Sequence, residues 1–166
     1  MYYATISKGY RSGGFHTNAP SGYSQQYEKE TLWNYEIGAK NTFIDNRLIV
    51  NSSIFYMNID DMQVRIFPIA GAYQSYIDNA AKATSKGFEI GITGKMTDTI
   101  DLFASYGYTD ITFDEYSDIN GDYSGNKNTF APDYSYNLGI QYRDEKGYFA
   151  RADLNGYGRT YFDNAN

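Results

Sequence analysis

From Tyr35 to Phe43 the side chains alternate in character. Tyr35, Ile37, Ala39, Asn41 and Phe43 fall on one side of an extended chain, and Glu36, Gly38, Lys40 and Thr42 on the other. Successive residues of a β-strand point to opposite faces, whereas a helix repeats every 3.6 residues. The same alternation recurs in Tyr2–Ser7, Phe88–Lys95, Leu102–Thr109, Asp133–Arg143 and Tyr148–Asn155. It is less clean over Leu48–Ile59, where Ile49, Phe55 and Met57 oppose Leu48, Val50, Ile54 and Tyr56. About seven strands result, each near the ~9–11 residues that cross a bilayer at a tilt. Their apolar faces carry no charge in mid-strand, where Arg or Lys facing lipid costs roughly 2–4 kcal/mol.

The connections alternate in length. Ile44–Arg47, Thr97–Asp101 and Asp144–Gly147 are tight turns, and Ser12–Glu30, Phe67–Asn79 and Asp114–Pro132 are long polar loops. Short turns at one end and long loops at the other are the asymmetry of a transmembrane β-barrel. The expected fold is all-β, with antiparallel up-and-down strands forming a partial segment of a large transmembrane barrel. Composition agrees: 19 tyrosines and 16 glycines with only 3 prolines suit interfacial aromatic girdles and long, closely packed strands. A mean hydropathy of −0.60 is compatible with a membrane wall, because only one side of each strand meets lipid.

Other classes are disfavoured. The net charge of −6 repels phosphate backbones, so nucleic acid is not an expected partner. Without cysteine there is no disulfide framework or thiolate metal site. No Gly-x-Ser-x-Gly elbow is present, and the single histidine has no Ser or Asp partner by spacing, so no catalytic residues are assigned. No signal-like segment precedes the first strand. Sequence upstream of Met1 is therefore expected.

Four stretches carry a resemblance: Ser7-Lys8-Gly9-Tyr10-Arg11-Ser12-Gly13-Gly14-Phe15; Glu30-Thr31-Leu32-Trp33-Asn34-Tyr35-Glu36-Ile37-Gly38-Ala39-Lys40, running on through Asn46-Arg47-Leu48 to Asp60-Asp61-Met62-Gln63-Val64; Asn79 to Ile90 around Lys86-Gly87-Phe88-Glu89; and Phe130-Ala131-Pro132-Asp133-Tyr134-Ser135-Tyr136-Asn137-Leu138-Gly139. In order and spacing they resemble the C-terminal half of the barrel in TonB-dependent receptors of the iron-complex type. The chain departs from that pattern at Lys29, where proline is frequent, and at His16, where asparagine is frequent.

The resemblance implies a Gram-negative outer-membrane protein with a plugged barrel of roughly 22 strands. It implies a lipid bilayer around the wall and a ferric siderophore or similar chelate bound on outer loops and plug. The energy-transducing protein TonB would be recruited through a region near the N-terminus. Residues 1–166 then form part of the barrel domain, with the plug and last strands outside them. The outer-loop candidates for ligand contact are Arg11, His16, Tyr23, Tyr73 and Tyr76. No cofactor or metal is expected.

Several residues have plainer readings. A single imidazole is not a metal site, so His16 reads first as a solvated loop residue. Asp118-Ile119-Asn120-Gly121-Asp122-Tyr123-Ser124 resembles the opening of a calcium loop. However, Tyr123 stands where glycine is wanted and Thr129 where the bidentate glutamate is wanted, so a solvated hairpin loop is the simpler reading. Asp60 and Asp61 would point to opposite faces of a regular strand. Arg11, Arg151 and Arg159, with Asp133 and Asp153, read as inward-facing and paired within the wall. Trp33 reads as a girdle residue.

Three alternatives remain open at this level: a passive porin-type channel, a soluble β-rich binding module or adhesin, and an outer-membrane hydrolase. If the barrel reading holds, the isolated chain has an exposed apolar face and two unpaired edges, and should self-associate or require detergent.

Overall fold

A computed structural model describes residues 1–17, 19–68 and 74–166. Seven long strands carry the fold: β1 (Tyr2–Arg11), β4 (Glu30–Phe43), β5 (Leu48–Ile66), β6 (Tyr76–Lys95), β7 (Ile100–Asp118), β9 (Tyr134–Arg143) and β10 (Phe149–Tyr157). Three two-residue strands decorate the loop end: β2 (Gly14–Phe15), β3 (Gln26–Tyr27) and β8 (Gly121–Asp122). The long strands pair antiparallel in the order β1-β4-β5-β6-β7-β9-β10, and β8 pairs with β7. This is the expected up-and-down segment.

Register turns the one-dimensional alternation into two surfaces. One row runs Ala4, Ile37, Ile54, Phe88, Tyr108 and Tyr134 across β1 to β9. The row one residue away runs Tyr3, Gly38, Ser53, Glu89, Gly107, Ser135 and Tyr157. The first face is apolar and stays exposed, with Ile54 at 54% and Leu138 at 49% exposure. A soluble sandwich would have buried it. The stretch from Tyr35 to Phe43 covers about 27 Å at ~3.4 Å per residue. A tilt of about 40° reduces that to ~21 Å of height, close to the ~25 Å apolar band of an outer-membrane barrel.

The turns are tight as expected. Ile44, Asp45 and Asn46 all adopt left-handed φ, a conformation disfavoured for β-branched Ile44. Arg47 of this turn pairs with Asp98 of the next.

The loop end departs from the sequence reading. β5, β6 and β7 run past the apolar band, so the loops Phe67–Asn79 and Asp114–Pro132 are shorter than expected. Bulges hide these extensions from an alternation test. β5 shifts register between Ile59 and Met62, where Asp61 has a φ of 54°, and β6 shifts against β7 between Lys82 and Ala83. Asp60-Asp61 therefore sits in a mid-strand bulge, not in the regular strand that would point the two carboxylates to opposite faces. Val64, Ile66, Tyr76, Ala81, Ala83, Phe113 and Tyr116 form a buried cluster on the extension. Each large member contributes about 1.5–3 kcal/mol by burial.

Candidate functional site

Two regions of this sheet face something other than lipid. The first is the polar face, where a recess of about 420 Å³ is lined by Tyr3, Lys40, Asn51, Glu89, Gly91 and Ser105, among others. Tyr3 lies over its cross-strand partner Gly38 and donates from its hydroxyl to Glu36 Oε1 at 2.7 Å. Glu36 and Glu89 thus put two carboxylates on a wall that also carries Lys40, which lies over the Tyr3 ring, among glycine, serine and asparagine. Further toward the turns, both guanidinium ends of Arg151 donate to Asp153 at 2.8 Å, and Arg151 lies over the Phe103 ring. This is the intra-wall pairing expected for that arginine. Asp133 instead accepts Lys127, and Arg159 donates to the Tyr161 hydroxyl.

The second region is the loop end. Segment 12–29 folds back against β5 and β6 through the small β2–β3 hairpin. Gln63 Nε2 donates to Ser12 O and Glu28 O at 2.9 and 3.0 Å. Asn79 donates to Glu28 O and accepts from Glu28 N–H. Ile77 N–H donates to His16 Nε2 at 2.7 Å. Tyr23 packs on Tyr76, with ring centroids 4.5 Å apart.

On the other flank, Phe113, Tyr116 and Tyr123 stack in sequence. Lys127 bridges Asp110 at 2.6 Å and Asp133 at 3.4 Å. Lys127 and, more weakly, Thr112 and Lys86 hold the Asp110 carboxyl below its ordinary range, against an opposing effect of burial. Burial, together with donation to Asp118 Oδ2, pushes the Tyr116 phenol far above the usual tyrosine range. A cleft of about 720 Å³ opens between the end of β5, the β7–β8 hairpin and residues 162–165. Arg65, Phe67, Asn120 and Phe130 are among its lining residues.

Of the five sequence candidates, the structure brings three together. Tyr23 stacks on Tyr76, and His16 is bonded to the residue after Tyr76. Tyr76 is only 7% exposed and belongs to the cluster. Arg11 sits exposed at the end of β1, paired in register with Glu30. Tyr73 lies outside the described residues. Sequence reasoning missed Gln63 and Asn79, because neutral amides in a polar stretch carry no pattern. The Asp118–Ser124 carboxylates are occupied by the hairpin itself. Asp118 Oδ1 accepts Asn120 N–H, and Asp122 Oδ1 accepts both donors of Ser124. Among the described residues no three His, Cys, Asp or Glu side chains converge as a metal would require.

The family model described as TonB dependent receptor-like, beta-barrel matches residues 1–166. The chain belongs to this family. It is a stretch of a Gram-negative outer-membrane barrel wall. It is 32% identical over 87 residues to a probable TonB-dependent siderophore receptor, PiuA, of Acinetobacter baumannii, covering 52% of this chain and 11% of that protein. The ferric yersiniabactin uptake receptor FyuA of Yersinia pestis superposes with a TM-score of 0.77 at 21% identity, covering 98% of this chain and 24% of that one. The copper transporter OprC superposes at 0.71 with 14% identity, covering 93% and 23%. The chain therefore spans about a quarter or less of the relatives it matches.

Proposed function

We propose that this chain is the wall and outer-loop segment of an active-transport receptor for ferric siderophores or a similar chelate, energised by TonB in the complete protein. The observation that carries the proposal is the division of one sheet into three zones. An exposed apolar face suits lipid, a small-residue face with Glu36 and Glu89 suits a plug, and β5–β7 carry a packed loop platform beyond the apolar band. A soluble module has no need of the first zone, and the match to the receptor family favours a plugged receptor over a passive channel. Residues 1–166 form one contiguous part of the barrel domain, and Glu36 and Glu89 meet polar or basic groups of the plug.

The role is binding and transport rather than catalysis. Arg11 and the exposed edge of Tyr23 contact the chelate from the outer loops. His16 and Tyr76 act by fixing the shape of those loops. Cargo is the decisive question. In a strain dependent on the complete receptor, ferric-siderophore uptake that disappears without TonB supports the proposal. Uptake of no metal chelate, or uptake independent of TonB, contradicts it.

A further inference from the structure

The fastenings of segment 12–29 differ in kind. Gln63 and Asn79 hold its base with amide groups, which do not titrate. Beyond that base, the hairpin is held by apolar packing of Ala19 and Tyr23 on the buried cluster and by one titratable group, an imidazole. Phe15 pairs with Gln26, and His16 N–H donates to Gln25 O at 2.7 Å, which fixes the backbone from which the ring projects. Tyr27 lies against the ring with centroids 5.0 Å apart. In that position Nε2 accepts Ile77 N–H. A ring nitrogen accepts only while it carries no proton. The bond therefore requires neutral imidazole with its hydrogen on Nδ1.

We propose that His16 is an acid-released latch for the β2–β3 hairpin at the outer mouth, shut while the imidazole is neutral and open once it is protonated. Protonation sets one N–H against another and leaves the Ile77 amide without its acceptor. Closing excludes a proton, so it is favoured as pH rises and disfavoured as pH falls. Imidazole is the side chain whose charge ordinarily changes between about pH 5 and 8.

The ionisable groups that face the latch come from each element around it. Tyr27 lies against the ring, Glu28 follows it in sequence, Glu30 is engaged by Gln63 N–H, and Tyr76 and Asp78 flank Ile77 in sequence on β6. Arg65 is the register partner of Ile77 on β5. Asp78 Oδ1 is already engaged by Asn79 N–H. On release the hairpin loosens around His16 while Gln63 and Asn79 keep its base. This device goes beyond the transport reading and holds whatever the cargo.

The test is hydrogen exchange of the complete receptor in detergent at pH 7.5 and 5.5, corrected for intrinsic rates. Peptides covering 14–28 and 74–80 should lose protection about tenfold on acidification, while β4 stays unchanged. His16→Gln keeps a side-chain carbonyl acceptor but cannot titrate, so its protection should be equal at both pH values. Unchanged protection in the wild type overturns the proposal, as does an equal loss in His16→Gln. If that variant fails to assemble, the wild-type comparison still decides, and His16→Asn supplies the second non-titrating acceptor.

Discussion

Two glycines on one face of β6 make opposite demands, and the same substitution at each tests the packing of the wall. A Cβ added at Gly87 would overlap the carbonyl oxygen of Tyr108 and come within 2.7 Å of Phe55 Cζ. Because the nearer obstacle is backbone, β6 and β7 must separate locally to admit it. Overpacking of this kind costs about 1–3 kcal/mol. Gly91, further along the strand, has no heavy atom within 4 Å of its virtual Cβ. Alanine there removes conformational freedom from the unfolded chain and favours the folded strand by roughly 0.5–1 kcal/mol. The two variants should therefore differ by about 1.5–4 kcal/mol. In the complete receptor, the temperature at which the compact, SDS-resistant barrel converts to the extended form reads this difference. Gly87→Ala should lower it, while Gly91→Ala should leave it unchanged or raise it. An equal loss from Gly91→Ala would refute the packing argument.

Further outcomes follow from the same geometry. Leu138→Arg, at the middle of the apolar face, should cost roughly 2–4 kcal/mol and reduce assembly in the outer membrane. Arginine at Lys8, near the outer end of β1, should be tolerated in the same assay. Phe113→Ala should cost about 3–5 kcal/mol of loop-platform stability, seen as faster proteolysis in 119–131 with the barrel intact. The Asp110 carboxyl is depressed by Lys127, so its contribution is present at neutral pH and lost only as pH falls through that lowered value. Exchange in 119–131 should therefore be flat from pH 7 to 5 and rise below the ordinary aspartate range near ~3.9. The purified 166-residue chain should scatter light as an assembly or require detergent. A monodisperse monomer in plain buffer contradicts an unsatisfied apolar face.

The wall was legible in the sequence because lipid on one side and polar surroundings on the other impose a two-residue period. Tyr35–Phe43 and Asp133–Arg143 show that period directly, and both form strands that include nearly all of those residues. Leu48–Ile59 was blurred because Ile49, Phe55 and Met57 put apolar side chains on the polar face. The strand is nevertheless real and seven residues longer, ending at Ile66.

The loop end was not legible, for two physical reasons. Bulges at Asp61 and beside Lys82 break the phase of the alternation. The residues beyond them pack against loops rather than lipid, so adjacent Gln63 and Val64 are both buried, and Phe113 and Tyr116, three apart, share one cluster. Tyr23 and Tyr76 were picked out in sequence, but their stacking and the two-sided grip of Asn79 on Glu28 depend on contacts between distant segments. No local pattern encodes such contacts.

The most direct test of the wall itself is a cysteine scan of positions 35–43 in the complete receptor, embedded in its membrane, with a lipid-confined and a water-soluble quencher. This stretch contains no native cysteine to interfere. Labels at 35, 37, 39, 41 and 43 should be quenched from the lipid, and labels at 36, 38, 40 and 42 should not. Accessibility without a two-residue period, or with the opposite phase, would contradict the assignment of this sheet as a barrel wall.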